Sequence, residues 1–348
     1  MSNPTRHPFF MHLVAAVFVA ACSSDSDEAP AETLTPIRIA LTGDSTYPEG
    51  IVAASNGTLY VGAFGDGSIQ RIDAANNVSV FRAAGADQRG AAVGMVLDEG
   101  RGRLWVARFN FPTTSSALQA FDPNTGALLM ELTPTNFTDP HFFNEVALAA
   151  DGRVFISDTL GPRIWVADPA TNKVEVFVEN PVLANSFGQQ FGLNGLALAP
   201  GGEWLIASVM DRIDQGDGIL VRIDVATKAV SKVKIRGEAV LDFGGSDGMF
   251  FMPNGELLMV NVTPPSTLVT AKFDPNYATA DLTNRPAFDG FLKRSTSSVL
   301  RGGQSLFVVN SQLDHIIDDQ NGALGTPPKL PFEIVGAPID KLLASGSR

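Results

Sequence analysis

The stretch Asn144–Val178, NEVALAADGRVFISDTLGPRIWVADPATNKVEVFV, decides the fold of this protein. It contains four short apolar runs that are rich in Val, Ile, Phe and Trp. Polar turns separate the runs, and Asp151-Gly152 is of the type that supplies a positive backbone φ in a tight hairpin. Runs and turns of this kind are typical of strands. The stretch therefore predicts a sheet of four short antiparallel strands.

The same pattern occurs six times along the chain. In every copy, a first strand begins at a marked residue, and a second strand carries a large apolar residue 11 positions later. The marked starts are Glu49, Gly94, Asn144, Asn194, Asp247 and Thr296, and the apolar residues are Tyr60, Trp105, Phe155, Leu205, Leu258 and Phe307. The starts lie 45, 50, 50, 53 and 49 residues apart. Such a period is typical of β-propeller blades, so we predict an all-β, six-bladed propeller with four-stranded blades.

A propeller must also close its ring, because an open edge strand pairs with other chains. The apolar stretch Pro36–Leu41 precedes the first copy and is expected to pair with the last blade. We therefore assign residues 34–340 to the propeller and residues 341–348 to a tail. No helical pattern of useful length competes with this prediction.

Composition excludes several classes of protein. The 348 residues include 25 Lys or Arg against 37 Asp or Glu, a net charge of −12, and 45% are hydrophobic. Such a chain buries a large core, and it lacks the clustered positive charge that nucleic-acid binding needs. The single cysteine excludes disulfide frameworks, Cys-ligated zinc and iron–sulfur clusters. Any metal would be held by oxygen ligands.

The N-terminal residues predict where the protein resides. The apolar run Leu13–Ala21 is too short to span a membrane but suits the core of a signal peptide. Val19-Ala-Ala-Cys22 resembles the lipobox of bacterial lipoproteins, in which the cysteine is acylated. We expect residues 1–21 to be removed, Cys22 to carry the lipid, and residues 22–33 to form an acidic tether. The alternative is an ordinary signal peptide with a buried cysteine.

This prediction places the protein in the bacterial cell envelope. The anchor would sit in the outer membrane, and the propeller would face either the periplasm or the cell surface. The lipid would be the only contact with the membrane.

The marked starts also predict a metal site. The first strand of each blade lines the central tunnel of a propeller, so equivalent positions form a ring around the axis. Four of the six starts carry side-chain oxygen donors: Glu49, Asn144, Asn194 and Asp247. Hard divalent cations such as Ca²⁺ take oxygen ligands, and two carboxylates would neutralise one such ion. The alternative is that Asn and Asp before Gly merely form turns.

Four motifs occur in a fixed order along the chain: Pro48-Glu49-Gly50, Phe143-Asn144-Glu145, Leu193-Asn194-Gly195 and Ser246-Asp247-Gly248. Together they resemble the senescence marker protein/gluconolactonase family, which includes regucalcin and whose superfamily contains the paraoxonases and diisopropyl fluorophosphatase. The resemblance implies that Glu49, Asn194 and Asp247 bind a divalent metal, usually calcium, and that Asn144 is a further polar residue that some members use as a ligand. It also implies that Asp247 is the general base or nucleophile. The charged substrate-binding pattern of the family is absent around Gly94, so the resemblance does not identify the substrate.

A second ring lies 14 residues after each start, at Ala63, Arg108, Asp158, Ser208, Asn261 and Asn310. Arg108 is a candidate for binding an anionic substrate group, and a salt bridge to Asp158 is the alternative. Asp158 is either a substrate-binding residue or, more simply, a structural turn residue. His141 precedes Asn144 on the same face and is a candidate proton shuttle, or an incidental loop histidine.

Two classes of function remain. The first is a metal-dependent lactonase or esterase, in which the ion acts as a Lewis acid and Asp247 activates water or attacks directly. The second is a non-catalytic propeller that serves as a binding or scaffold module of the envelope. In both cases we expect a monomer that binds a small molecule and no nucleic acid.

Overall fold

The computed structural model describes residues 35–86, 90–184, 192–210, 220–237, 241, 245–261, 266–285, 291, 295–316 and 326–344. The predicted signal peptide, the acidic tether and Cys22 lie outside this range, as does the end of the tail. The described residues all belong to the compact unit Leu34–Arg348.

The chain forms six sheets, built mainly from strands that follow one another in sequence. The first strand is β1 (Ile37–Ala40). Blade one consists of β2 (Pro48–Ala53), β3 (Leu59–Ala63), β4 (Ile69–Ile72) and β5 (Val78–Arg82). Blade two consists of β6 (Ala91–Asp98), β7 (Arg103–Asn110), β8 (Ser115–Phe121) and β9 (Leu128–Leu132). Blade three consists of β10 (Phe143–Leu148), β11 (Val154–Asp158), β12 (Arg163–Asp168) and β13 (Lys173–Glu179).

The second half of the chain repeats this plan. Blade four consists of β14 (Leu193–Leu198), β15 (Trp204–Val209), β16 (Leu220–Asp224) and β17 (Val230–Lys232). Blade five consists of β18 (Lys234–Gly237), β19 (Ser246–Phe251), β20 (Leu257–Asn261), β21 (Thr267–Phe273) and β22 (Thr279–Arg285). Blade six consists of β23 (Ser295–Arg301), β24 (Ser305–Asn310) and β25 (Glu333–Pro338), followed by the short helix α1 (Ile339–Ala344).

The ring closes as the sequence predicts. Strand β1 pairs antiparallel with β25, with Ile37 opposite Gly336 and Ala40 opposite Glu333. The sixth sheet therefore has the order β1-β25-β24-β23 and joins the two ends of the described chain. The innermost strand of each blade packs against that of the next, all the way around from β2 to β23 and back to β2. This arrangement confirms a six-bladed β-propeller.

Blade five differs from the predicted plan. Strand β18 pairs in parallel with β22 along Lys234–Gly237 and adds a fifth strand to an otherwise antiparallel sheet. This short and largely polar segment covers an outer edge that the other blades leave unpaired within the described residues. The predicted blade pattern depends on alternating apolar residues, and the largely polar strand β18 does not show this alternation.

The core lies between neighbouring blades. Large apolar side chains of the second strands, such as Trp105, Phe155 and Phe307, are almost completely buried in clusters shared by adjacent sheets. The hairpin turn predicted at Asp151-Gly152 is present, and Gly152 has a φ of 95°, in the left-handed region that favours glycine. No helix in the described ranges is long and apolar enough to cross a membrane.

Candidate functional site

Each innermost strand contains a β-bulge at the same place. In blade one, Pro48 lies opposite Ala63 and Ile51 lies opposite Val61, so two residues of β2 face one residue of β3. The same shift occurs in β6, β10, β14, β19 and β23. A bulge turns the strand locally and re-aims its side chains, which is why bulges are common next to active sites. Here the six bulges surround the propeller axis.

The first bulge residues form a ring near the face at which the innermost strands begin, and we call it the upper ring. Its members are all buried: Glu49, Val93, Asn144, Asn194, Asp247 and Thr296. The structure thus brings together the four predicted metal ligands. The four ligands belong to blades one, three, four and five.

Two positions of the predicted rings were wrong by one residue. In blade two, the register shift falls between Ala92 and Met95, so Val93, and not Gly94, occupies the upper ring. In blade four, Leu193 lies opposite Val209, so the second ring contains Val209 in place of Ser208. The hairpins that join the first and second strands of blades two and four are one residue longer than those of the other four blades. A fixed offset between the two strands assumes a constant hairpin length, so it misplaces one ring position in each of these blades.

A chain of hydrogen bonds connects three members of the upper ring. The Asn144 amide nitrogen donates to Thr159 Oγ1 at 2.9 Å and to Asn194 Oδ1 at 3.0 Å. The Asn194 side chain in turn donates to the carboxylate of Asp247. An amide oxygen has two lone pairs, so Asn194 Oδ1 can accept this bond and still face a cation. The chain fixes the direction of each donor before any ligand arrives.

The two carboxylates of the upper ring are not satisfied by the protein. Glu49 Oε2 and Asp247 Oδ1 are buried and have no hydrogen-bond partner among the described residues. Burial, together with the charges of Asp247 and Glu145, raises the pKa of Glu49 well above its usual value. Burial also raises the pKa of Asp247 to about 7, against the effect of hydrogen bonds from Asn194 and the Gly248 backbone. Buried carboxylates of this kind need a proton or a cation.

The second residue of each bulge follows directly after the upper-ring residue, and these six residues form a lower ring deeper in the tunnel. They are Gly50, Gly94, Glu145, Gly195, Gly248 and Ser297. Below the upper ring, a cavity of about 170 Å³ is lined by residues of five innermost strands, among them Gly50, Glu145, Gly248 and Ser297. We call it the tunnel cavity.

Glu145 is the functional candidate that the sequence analysis missed. It lines the tunnel cavity, and burial together with the charge of Asp247 raises the pKa of its carboxyl to about 8. Its Oε1 accepts the Val146 N–H at 3.0 Å. A Cβ on Gly94 would lie 2.7 Å from this oxygen, so the glycine leaves space for the carboxylate. The sequence contains a signal for this residue: Glu49, Asn194 and Asp247 are each followed by Gly, whereas Asn144 is followed by Glu145.

The donor set of the upper ring fits a hard divalent cation. No group of three or more His, Cys, Asp or Glu side chains in the described part of the chain is placed to hold a metal ion. The fit therefore depends on two carboxylates and two carboxamides acting together. Oxygen-only donors of mixed charge are the ligands that Ca²⁺ prefers, and the partnerless oxygens of Glu49 and Asp247 are available to it.

The predicted substrate residues Arg108 and Asp158 lie deep in the protein. Arg108 is 1% exposed, and its Nη1 donates to the Gly67 carbonyl at 2.9 Å. The Asp158 carboxylate accepts hydrogen bonds from the Phe142 N–H at 2.9 Å and from Trp165 Nε1 at 3.0 Å. Its ion pair is with Arg163, at 3.0 Å. These contacts match the structural alternative for Asp158, and a role of either residue toward substrate stays a prediction.

His141 is held by backbone groups on both sides of its ring. Its Nε2 accepts the Ser116 N–H at 3.2 Å, and its Nδ1 lies 2.9 Å from the Asp139 carbonyl and therefore donates to it. The ring is buried. These bonds position the segment that leads into Asn144, and proton transfer by His141 stays a prediction.

No protein-family model matches the sequence, and no curated protein matches it. Solved structures do resemble it. The major allergen Mala s 1 of Malassezia sympodialis has a TM-score of 0.66 at 17% identity, over 87% of this chain and 96% of the allergen. A calcium-binding protein, regucalcin, from Agrobacterium tumefaciens has a TM-score of 0.57 at 13% identity, over 87% and 93% of the two chains.

Virginiamycin B lyase from Staphylococcus aureus has a TM-score of 0.55 at 13% identity, over 79% of this chain and 81% of the lyase. At these identities the likeness is one of fold alone. The neighbours include enzymes and a calcium-binding protein, and both kinds of function are thus compatible with this architecture.

Proposed function

We propose that the upper ring binds a divalent cation, with Ca²⁺ as the best match, and that the site hydrolyses lactones or related esters. One observation carries the proposal: two buried carboxylates, Glu49 and Asp247, each present a partnerless oxygen at the propeller axis. The likeness to a calcium-binding propeller neighbour supports it. A bound cation would supply Lewis-acid polarisation of the acyl oxygen.

The residues of the chain have distinct roles in this proposal. Glu49 balances charge and holds the ion, whereas Asp247 shares its carboxylate between the ion and the chemistry. Asn194 orients the Asp247 carboxylate through its hydrogen bond, and Asn144 orients Asn194. The two amides therefore act as positioning groups in addition to being ligands.

In the reaction, the Asp247 carboxylate acts either as a general base or as a nucleophile. As a general base, Asp247 takes a proton from water while the water oxygen bonds to the acyl carbon. The carbon–oxygen bond of the ester then breaks, and the leaving alkoxide receives the proton back from Asp247. As a nucleophile, Asp247 would instead attack the acyl carbon and displace the alkoxide, and water would then cleave the resulting acyl–Asp247 anhydride, with one proton of the water passing to the alkoxide.

The test compares Asp247→Asn and Glu49→Gln with the wild type on sugar lactones, acyl lactones and phosphotriesters, with and without a chelator. Asp247→Asn keeps a carbonyl ligand but loses basicity, so turnover should fall about 10²- to 10⁴-fold while the fold persists. Glu49→Gln should weaken Ca²⁺ binding first, and excess ion should partly restore its activity. Calorimetric titration with Ca²⁺ and steady-state kinetics measure both effects.

Asp281→Asn is the matched control, because Asp281 is an exposed residue of blade five that pairs with Arg236. It should behave as the wild type. Full activity of Asp247→Asn would refute the hydrolase mechanism. Calcium binding without turnover of any substrate would favour the non-catalytic scaffold module instead.

We further propose that the mature chain begins at an acylated Cys22 and acts as a monomer in the cell envelope, at the outer membrane. The lipobox-like Val19-Ala-Ala-Cys22 supports the anchor. Mass spectrometry of the mature N-terminus should find lipid on the Cys22 thiol. A free thiol, or cleavage at another bond, would contradict the anchor without affecting the hydrolase proposal.

A further inference from the structure

The upper ring has one apolar member. Val93 of blade two lies between Glu49 of blade one and Asn144 of blade three, where the neighbouring blades supply oxygen donors. Val93 belongs to a hydrophobic cluster that also contains Phe109 and Phe142. Four of the six positions of the upper ring therefore carry oxygen ligands, whereas the position in blade two carries a buried apolar side chain, which marks an apolar sector of the ring.

Four phenylalanines extend this apolar sector, and we call them the aromatic wall. They are Phe64 of blade one, Phe109 and Phe111 of blade two, and Phe142, which leads into blade three. Phe109 and Phe142 are stacked with ring centroids 4.1 Å apart. Phe111 meets Phe109 edge-on at 4.7 Å and Phe64 edge-on at 5.2 Å.

The aromatic wall is attached to the ligand-bearing segments of the site. The Thr114 carbonyl, at the tip of the β7–β8 hairpin, accepts the His141 N–H at 3.0 Å. Phe142 comes next in the chain and lies two residues before Asn144. On the other side, the Phe64 N–H donates to the Tyr47 carbonyl, two residues before Glu49. The wall therefore stands on the same face as the upper ring.

Exposure singles out Phe111 within the wall. Phe109 and Phe142 are 3% and 4% exposed, whereas Phe111 is 47% exposed. Exposed aromatic surface that is held by other aromatic rings is a preorganised contact for an apolar group. The charged residues of the second ring in this sector, Arg108 and Asp158, are buried and bonded to protein groups.

We infer that the aromatic wall binds an apolar, preferably aromatic, substituent of the substrate and that Phe111 determines this specificity. The inference rests on the proposed function and narrows its substrate class. The acyl group of a lactone or ester lies at the upper ring, and its substituent extends on the side of blade two onto Phe111. Polyhydroxylated sugar lactones gain nothing from this sector, because it offers them carbon in place of hydrogen-bonding groups.

The test compares Phe111→Ala with Leu129→Ala on two lactones. Leu129 is a matched control, because it is an exposed apolar residue of the same blade, 51% exposed, on the outer strand β9. With γ-phenyl-γ-butyrolactone, Phe111→Ala should lower kcat/KM about three- to tenfold. The loss should appear mainly as a higher KM, because the contact with the phenyl ring is present in both the ground state and the transition state. With glucono-δ-lactone it should have no effect, and Leu129→Ala should leave both lactones unchanged.

A binding measurement separates this inference from the proposed function. The corresponding lactam, 5-phenyl-2-pyrrolidinone, resists hydrolysis, and ligand-observed NMR detects its binding whether or not the protein is a hydrolase. Binding to the wild type and to Leu129→Ala, with loss in Phe111→Ala, would support the aromatic wall even if no lactone were turned over. Equal lactam binding by Phe111→Ala and Leu129→Ala would overturn the inference, even if the protein hydrolyses lactones. Equal losses of kcat/KM on both lactones would overturn it as well.

Discussion

The upper and lower rings consist of consecutive residues in the same six bulges, yet their chemistry is opposite. The upper ring carries four oxygen donors, whereas the lower ring is glycine at four of its six positions. The difference arises from the approach of the next blade. A Cβ on Gly50 would lie 2.1 Å from the Val93 carbonyl oxygen, which is well inside the van der Waals contact distance of carbon and oxygen.

Each bulge therefore combines a functional constraint at its first residue with a packing constraint at its second. The upper ring faces the mouth of the tunnel and can carry large side chains that differ from blade to blade. The lower ring lies where neighbouring backbones come closest, so most of its members have no side chain. Glu145 is the exception, and its carboxylate joins those of Glu49 and Asp247 in the electrostatics of the axis.

The largest stability effect should come from adding one carbon to the lower ring. Gly50→Ala places a Cβ against the rigid Val93 backbone, so the blades must move apart, at a cost of about 1–3 kcal/mol in the free energy of unfolding or more. Urea unfolding followed by circular dichroism measures this loss.

The control for this substitution is Gly100→Ala. Gly100 is exposed, and its nearest neighbour to an added Cβ is Asp98 Oδ1 at 3.8 Å. This variant should unfold close to the wild-type midpoint. Equal stability of the two variants would refute a packing requirement at the lower ring.

A smaller effect should appear as a pH dependence of the metal-free protein. The folded-state pKa values of Asp247 and Glu145, about 7 and about 8, lie above the usual carboxyl values near 4. The folded state then holds protons that the unfolded state releases, so the stability that these two carboxyls contribute is fully present at low pH and is lost as the pH rises through their folded pKa values. The loss should be about 1.4 kcal/mol per pH unit for each such group. Melting temperatures in EDTA should therefore fall between pH 5.5 and pH 8.

Two additions to this experiment sharpen it. Ca²⁺ at pH 8 should restore the melting temperature, because it binds the ionised form of the folded state. Glu145→Gln in EDTA should show a shallower slope, since one of the titrating carboxyls is gone. A melting temperature that stays constant or rises from pH 5.5 to pH 8 in the metal-free wild type would contradict the buried-carboxylate interpretation.

The wrong positions in the sequence analysis have a common cause. Counting from the second strand located Glu49, Asn144 and Asp247 correctly, and the Asn194-Gly195 motif located Asn194 although the hairpin of blade four is longer. The same counting chose Gly94 over Val93, since a hairpin of unusual length moves the second strand without moving the bulge. Strand β18 escaped prediction because its partner β22 lies more than 40 residues later in the chain.

The sequence by itself determined the number of blades, the closing strand and the four oxygen donors of the upper ring. The blade count and the donor positions follow from hydrophobic alternation and hairpin turns, which depend on residues close together in the chain. The closing strand follows from the need to pair the open edge of the last blade. Only the tertiary structure decided that Val93 is the apolar member of the upper ring, that Glu145 lies beneath this ring, and that Phe64, Phe109, Phe111 and Phe142 form one aromatic cluster. These features depend on how closely neighbouring blades approach, and that distance is set by contacts between residues far apart in the chain.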